Sequence, residues 1–465
     1  MKKFLHKLLR FYARLVLKKY KPAIIGVTGS VGKSATKEAI YIVLKRFYRV
    51  RRSLKNYNNE IGVPLTILGR MSPGKKLSGW LRVFWMALGS LWFTEKSYPE
   101  ILVLEMAADH PGDIKYLTDF ASCRIGVITA IGPSHLEFFK NIDSVIKEKQ
   151  IIVTHLPPGG WAILNADDEN VLKIKDTVDS KIITFGLSQE ASVRALEINL
   201  DQEFTPLDTK SSDLQAGDEG NISLKLNKSP ALQKRDLTGF RGDGPIKING
   251  LRFKIKHEGS VVPMFLPDTI SYGAIYAALA AVAAGVTFGI NLVEISDALK
   301  AFVPLSSRMK LIEGINHTLI IDDTYNSSPK AVMSALESLD KINLQPGARQ
   351  WIVLADMLEL GRASVEEHEN VGRAVAEYNF DYLLTFGVEA KNIAIGAKKM
   401  GQDKIHSFDV QDKLIEYIRQ NLQPGDLVLI KGSQGMRMER VVKALMAEPQ
   451  KAKLLLVRQG DEWDE

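Results

Sequence analysis

The segment Thr28-Gly29-Ser30-Val31-Gly32-Lys33-Ser34 holds the residue types that cradle a phosphate chain. Its glycines let backbone N–H groups turn inward on phosphate oxygens. Lys33 adds a point charge for the β- and γ-phosphates, and the Ser34 hydroxyl suits Mg2+. The spacing departs from the strict G-x-x-x-x-G-K-[ST] pattern, because its first glycine would fall on Val27; Gly26 and Gly29 flank that position. Two further residues suit the same chemistry. Glu105 ends the apolar run ILVLE, where a carboxylate can serve a metal-bound nucleotide, and His135 follows IGVITAI in IGPSHLEFF, toward the same sheet edge.

Such side chains need a strand, a tight loop and a helix to aim them. Ala23 to Val27 (AIIGV) is a short β-branched run, and a helical pattern runs from Lys33 to about Phe47. Ile101 to Glu105 and Ile125 to Ile131 read as buried strands separated by a helix-length piece. The alternation implies an α/β fold with a mostly parallel sheet covered on both faces. From about 187 to 267 the texture turns polar and the apolar residues alternate, as in ISLKLN and IKINGLRFKI, which predicts a β-rich antiparallel insertion. Asp201 to Gly220 is polar enough to be disordered. Helical patterns follow at Ser271 to Ala284 and Asn291 to Phe302. Past the boundary PLSSR (Pro304 to Arg308), a second strand-helix series begins: TLIIDD, Pro329 to Leu339, WIVLAD, Glu366 to Tyr378, YLLTFG and LVLIKG. The predicted division is therefore a helix at 1–21, a phosphate-binding α/β domain at 22–305 and a Rossmann-like α/β domain at 306–465.

Composition sets the outer limits. A chain of 465 residues with 45% hydrophobic and 25% charged residues suits two or three globular domains, and argues against a disordered, collagen-like or membrane-spanning protein. The single cysteine, Cys123, excludes an internal disulfide and cysteine-rich metal sites, and fits a reducing, cytoplasmic compartment. The net charge of +7 is local: Met1 to Lys21 holds eight basic residues and no acid, leaving 53 basic residues against all 54 acidic ones. The body of the chain has no electrostatic claim on nucleic acid. Within the basic segment Leu5, Leu8, Tyr12, Leu15 and Val16 recur at helical spacing, with Lys7, Arg10, Arg14 and Lys18 largely on other faces. Two readings fit: a helix docked on its own domain, or a peripheral contact at the inner face of a membrane. Trp80 to Phe93 (WLRVFWMALGSLWF) is too short to span a bilayer and contains Arg82, so a buried helix is expected there.

The combination VTGSVGKSATKEAI, NYNNEIGVPLTIL, LEMAADHPGDIKYL, TAIGPSHLEFF, LNADD, IIDDTYNSSP, LADMLELG and IKGSQGMRMERVV resembles the Mur ligases of peptidoglycan synthesis, most nearly the MurF type. The resemblance runs in order from about residue 23 to 445. It implies a central ATP-binding domain followed by a Mur ligase C-terminal domain, with ATP and Mg2+ as cofactors. The implied reaction joins D-alanyl-D-alanine to UDP-N-acetylmuramoyl-tripeptide through an acyl phosphate, both substrates being small molecules.

Site roles follow position by position. The resemblance assigns Thr28, Gly29, Ser30, Gly32 and Lys33 to the phosphates, Ser34 and Glu105 to one Mg2+ and His135 to a second. Lys149, in VIKEKQII, matches a lysine carbamylated in many Mur ligases; Lys147, two residues earlier, leaves the register open. Arg308, Asp323, Tyr325 and Asn326 match nucleotide-contacting residues at the edge of the C-terminal domain. Asn58 and Asn59 match the loop framing the acceptor, and Asp356, Glu359, His368, Lys431 and Ser433 match elements that orient the incoming dipeptide.

Four departures from the family pattern qualify its substrates. Only about 22 residues precede the first strand, where the family carries a domain that grips uridine nucleotide, so the alternatives are another surface that holds the nucleotide, a partner supplying that domain, or a different, lipid-linked acceptor. Gly273 and Ala274 replace a His-Asn pair set against adenine. Ser328 and Ala130 stand where Asn is usual, and Gln434 where Arg is frequent. Another amide ligase of the superfamily, or a nucleotide-binding partner that does not ligate, are the rival functions.

Overall fold

Short β-branched runs separated by amphipathic helices assemble into two sheets in the computed structural model, which describes residues 2–54, 57–74, 76–134, 136–204 and 246–460. The first unit begins with α1 (Lys2–Tyr20), β1 (Ala23–Thr28), α2 (Lys33–Leu44), β2 (Val50–Arg52), α3 (Gly62–Leu68) and α4 (Leu77–Trp92). It continues through β3 (Ile101–Glu105), α5 (Asp113–Thr118), β4 (Ile125–Ile128), α6 (Leu136–Phe139), α7 (Ile142–Thr154), β5 (Trp161–Asn165), α8 (Glu169–Leu172) and β6 (Lys181–Gly186). Then come β7 (Val193–Phe204), β8 (Ile246–His257), β9 (Ser260–Pro267), α9 (Tyr272–Thr287) and α10 (Leu292–Leu299). Among the described residues these strands form a nine-stranded sheet in the order β2-β3-β1-β4-β5-β6-β7-β8-β9. β1 lies between β3 and β4 and is parallel to both. The order reverses there, which opens a crevice beyond the carboxyl end of β1, the place where such sheets bind ligands.

Both faces of the sheet are covered, so its central strands are apolar throughout. Ile25, Val27 and Val103 face the core shared with α2 and α9, whereas Ile24, Leu102 and Leu104 face the core beneath α1, α3 and α4. Alternation of side chains along a strand separates the two sets. The polar region expected as a β-rich antiparallel insertion does carry antiparallel strands, and they extend this sheet. β7 pairs parallel with β6 at Phe185–Val193 and Gly186–Arg194, and β8 and β9 then add antiparallel. Asp201 to Phe204 belong to β7, so disorder does not begin at Asp201; the stretch 205–245 lies outside the described residues.

The basic helix α1 docks on its own unit. Leu9, Ala13 and Val16 are buried in the same core as Val83 and Ala87 of α4, and Lys19 Nζ donates to the Leu91 and Phe93 carbonyls, each at 2.9 Å. The expectation of a buried helix at Trp80 to Phe93 does not hold. Val83 and Ala87 are the buried residues of α4, while Trp85 and Trp92 are 77% and 78% exposed. The helix is rich in apolar residues, yet only the stripe of Val83 and Ala87 is buried, in the core it shares with α1. Among the described residues no helix is long and apolar enough to cross a membrane.

The second unit comprises β10 (Lys310–Glu313), β11 (Leu319–Asp323), α11 (Pro329–Asp340), β12 (Gln350–Ala355), α12 (Ser364–Glu377), β13 (Tyr382–Phe386), α13 (Lys391–Lys399), β14 (Ile405–Phe408), α14 (Gln411–Asn421) and β15 (Leu427–Lys431). Its strands lie in the order β10-β11-β15-β12-β13-β14. β10 is antiparallel to β11 and the rest are parallel. This is the α/β, Rossmann-like arrangement expected from the alternating runs.

Candidate active site

The phosphate loop joins β1 to α2 and is pinned from the β4 side. Gly29 and Gly32 hold positive φ angles of 150° and 86°. A Cβ at Gly29 would sit 2.0 Å from Thr129 Oγ1, so only glycine fits. Thr129 Oγ1 donates to the Val31 carbonyl at 2.5 Å, and Ser30 N donates to the Ala130 carbonyl at 2.7 Å. Ser30 Oγ also donates to the Gly132 carbonyl at 3.0 Å. Gly32 begins α2 without a side-chain cap, which leaves the first N–H groups of the helix turned to the loop. Lys33 Nζ folds back over the loop to the carbonyls of Gly29 (2.7 Å) and Ser30 (3.2 Å). Thr28 is buried just before it.

Glu105 closes β3 beside this loop and is 4% exposed. Its Oε1 accepts from Asn58 Nδ2 at 3.3 Å, and its Oε2 lies 3.6 Å from Lys37 Nζ with no hydrogen bond of its own among the described residues. Burial works to raise its pKa, but Lys37, Lys33 and Arg308 outweigh that and hold the carboxyl below its ordinary range. Burial pushes the Lys33 ammonium down, and the Arg308 charge adds to this against Glu105 and Asp109.

The two candidate lysines of α7 differ in burial, and Lys149 is the buried one. It is 2% exposed on the inner face of α7, whereas Lys147 is exposed. Burial, with the Lys33 charge next, lowers its pKa to about 7 against the pull of Glu148 and Asp109. Its amine makes no hydrogen bond or ion pair among the described residues. The neighbouring Glu148 accepts from Gly112 N at 2.7 Å and Ile114 N at 2.6 Å, and so anchors the start of α5. His135 lies outside the described residues, and among those described no cluster of three or more His, Cys, Asp or Glu is placed to hold a metal.

The second unit reaches this loop directly. Arg308 Nη2 donates to Ser34 Oγ at 3.3 Å while its guanidinium lies 3.9 Å over the Tyr325 ring. Lys330 pairs with the buried Asp168, which also accepts from Ile131 N at 3.0 Å. Glu137 N donates to the Glu359 carbonyl at 3.3 Å.

The remaining C-terminal residues form a framework beneath that edge. Lys431, 1% exposed, donates to Asp323 Oδ2 at 2.6 Å and to the Asn326 carbonyl at 2.9 Å, while Asp323 Oδ1 accepts from Met309 N. Ser433 Oγ accepts from Leu358 N, and Asp356 Oδ1 accepts from Ala390 N. His368 is buried with both ring nitrogens used: Nδ1 donates to the Ser364 carbonyl at 2.7 Å and Nε2 accepts from Met357 N at 3.0 Å. That pattern fixes the neutral tautomer, in keeping with a pKa lowered by burial. Asn59 Oδ1 accepts from Ile61 N and Gly62 N at the start of α3. Asn58 thus faces Glu105, whereas Asn59, Asp356, His368 and Ser433 hold backbone. Asn326 and Glu359 are exposed.

Sequence reasoning missed Lys37, Asp109, Thr129, Asp168 and Lys330. Lys37 had a signal, since it follows Lys33 by four residues on one helix face. Asp168 sits in the LNADD run. Nothing in the sequence joined Lys330 to it.

Known proteins resemble this chain over most of its length. Residues 89–227 match the Mur ligase middle domain and residues 307–434 match the Mur ligase, glutamate ligase domain. A UDP-N-acetylmuramoyl-tripeptide–D-alanyl-D-alanine ligase of Bacillus subtilis is 28% identical over 438 residues, which is 94% of this chain and 79% of that protein. MurF of Acinetobacter baumannii superposes with a TM-score of 0.71 at 23% identity, over 94% of this chain and 79% of that one. MurF of Thermotoga maritima, solved in complex with ADP, gives 0.70 at 24% identity, over 96% and 84%. With matches spanning both sheets and the phosphate loop, Glu105 and Arg308 converging between them, the chain belongs to the Mur ligase family and has the fold of its MurF members.

Proposed function

We propose that the chain is an ATP-dependent amide ligase that joins D-alanyl-D-alanine to a UDP-N-acetylmuramoyl-tripeptide, releasing ADP and phosphate. The acceptor carboxylate bonds to the γ-phosphorus as the bond to ADP breaks; the dipeptide amine then bonds to the acyl carbon, loses a proton and expels phosphate. The observation that carries this reading is the meeting of Ser34 and Arg308 above a loop that also presents Lys33. A carboxylate must approach a polyanion here, and fixed positive groups are what such a step requires.

This chain's residues divide the work. The loop N–H groups of Gly29 to Ser34 hold the β-phosphate, and Lys33 leaves its carbonyl partners to reach the γ-phosphate. Arg308 approaches from the second unit, and Asp323, Tyr325 and Asn326 frame the nucleotide side of the cleft between 22–305 and 306–465. Asn58 orients Glu105, while Lys431 and Ser433 steady the loops that receive the dipeptide. Closure of the cleft excludes water from the acyl phosphate.

Glu105 Oε2, buried and without a hydrogen bond beside Ser34, fits Mg2+. Ser34 and Glu105 would hold one Mg2+ and His135 a second, with a carbamylated Lys149 helping to hold the metal, and bound there Mg2+ would neutralise phosphate oxygens. A lysine with a pKa of about 7 is substantially neutral at physiological pH, the form that adds CO2.

The test is phosphate release from Mg-ATP, with the muramoyl tripeptide and D-alanyl-D-alanine supplied singly and together, and Lys33→Ala alongside. Release that needs both, with the pentapeptide product seen by mass spectrometry, is expected. Nucleotide binding without release would move the assignment to another acceptor, such as a lipid-linked one, or to a partner that does not ligate.

A further inference from the structure

The outward stripe of α1 is Phe4, Lys7, Phe11, Arg14 and Lys18, all exposed. Beside it α4 turns Leu77, Leu81, Trp85 and Trp92 outward, each at least 66% exposed. The two helices are packed together: Tyr12 and Phe84 have ring centroids 5.6 Å apart, and Tyr20 OH donates to the Ser90 carbonyl at 2.9 Å. Both bury their inner faces in one core, so the two exposed stripes look out on the same side of the first unit. An apolar surface of this extent on a globular protein is unusual without an occupant.

Charge identifies the occupant. Neither helix contains an acidic residue, and basic side chains interleave with the aromatic ones: Lys7 and Arg14 alternate with Phe4 and Phe11, and Arg82 adjoins Leu81. The acids that do approach lie at the flank, where Asp119 faces Arg10 at 3.7 Å and Glu60 faces His6 at 3.8 Å. The centre of a protein–protein interface is depleted in lysine. Tryptophan beside lysine and arginine on one helical face is instead what a headgroup layer over acyl chains accommodates, with rings at the boundary and cations at lipid phosphates.

We propose that the joint outer face of α1 and α4 docks the protein on an anionic lipid bilayer, with Trp85 and Trp92 inserted at the headgroup boundary and Lys7, Arg14 and Lys18 against lipid phosphates. The contact is peripheral and reversible, and it stands whether or not the ligase reading holds.

Flotation of the full chain with phosphatidylcholine vesicles, with and without phosphatidylglycerol, tests it, with tryptophan emission as a second readout. The wild-type chain is expected to float with the anionic vesicles, to blue-shift its emission, and to be released by salt. Trp85→Ser/Trp92→Ser is expected to lower partitioning by roughly tenfold or more, because two large apolar groups no longer leave water. Lys7→Glu/Arg14→Glu/Lys18→Glu is expected to abolish the preference for the anionic lipid. All five side chains are exposed, and circular dichroism checks that both variants fold. No flotation on anionic vesicles, or flotation unchanged by both variants, overturns the proposal. So does a chain that is dimeric without lipid and shields its tryptophans from a soluble quencher, because the occupant is then a second copy.

Discussion

Arg308 Nη2, at the start of the second unit, lies 3.3 Å from Ser34 Oγ on the phosphate loop of the first, with the Tyr325 ring 3.9 Å beneath its guanidinium. One side chain therefore ties the boundary between the two units to the hydroxyl at the head of α2. Arg308→Ala should lower kcat/KM for ATP by about 10- to 100-fold, the range of one lost charge-assisted hydrogen bond to a developing anion. Steady-state phosphate release measures this, and Arg308→Lys should recover only part. A thermal midpoint that falls sharply in Arg308→Ala would instead mean that the residue holds the fold.

Lys33→Ala should lower kcat by about 100- to 1000-fold while leaving the circular dichroism unchanged, as expected for one preorganised group at a site of developing charge. Gly29→Ala should be as damaging for a different reason, because the new Cβ would displace Thr129 and the loop with it. Nucleotide affinity separates the two: Gly29→Ala loses it, whereas Lys33→Ala retains part.

Lys149 should carry a carbamate. Protein equilibrated with 13C-bicarbonate at neutral pH is expected to show a carbamate carbon resonance that vanishes in Lys149→Arg and persists in Lys147→Arg. A resonance that survives Lys149→Arg would assign the carbamate elsewhere. The bare amine has its own signature. Its folded pKa of about 7 lies below the ordinary 10.5, so the unfolded chain binds more protons between those values and stability rises with pH across that window. Below pH 7 the full penalty of burying the ammonium is present. Denaturant midpoints in CO2-free buffer from pH 7 to pH 10 should rise more for the wild-type chain than for Lys149→Met.

Asp426 tests the second sheet independently of any activity. It is fully buried and accepts from Arg349 Nη2 at 2.6 Å, Trp351 Nε1 at 3.0 Å and Gln423 N at 2.9 Å. Asp426→Ala strands those donors and should cost about 3 to 5 kcal/mol, the range for removing one partner of a buried charged network. Urea unfolding measures it. A change below about 1 kcal/mol would mean that water reaches the donors.

What the sequence made legible was local. The phosphate loop lies in consecutive residues between a strand and a helix, so its chemistry and its support appear together. Glu105 and the strand that ends on it were visible for the same reason. Lys149 and Lys147 were separable in principle, because Val145, Ile146, Ile152 and Val153 are the buried positions of α7 and only Lys149 shares their phase. Pairings far apart in sequence left no trace: Arg308 with Ser34 spans 274 positions and Lys330 with Asp168 spans 162. The β7 hairpin was readable as alternating residues, but its attachment to β6 rests on two residue pairs, which alternation cannot reveal. In α4, the many apolar residues say that the helix is hydrophobic and nothing about which of them pack against α1. His368 looked like a recognition residue, yet histidine on an amphipathic helix serves a core hydrogen bond equally well.

Glu148 and Lys149 are adjacent on α7 but serve different clients, the first the backbone entering α5 and the second the charge cluster at the phosphate loop. A helix cannot rotate one without the other. Across descendants of this chain, the turn from His110 to Gly112 and the pair Glu148-Lys149 should therefore be inherited as a single character, drifting together or not at all.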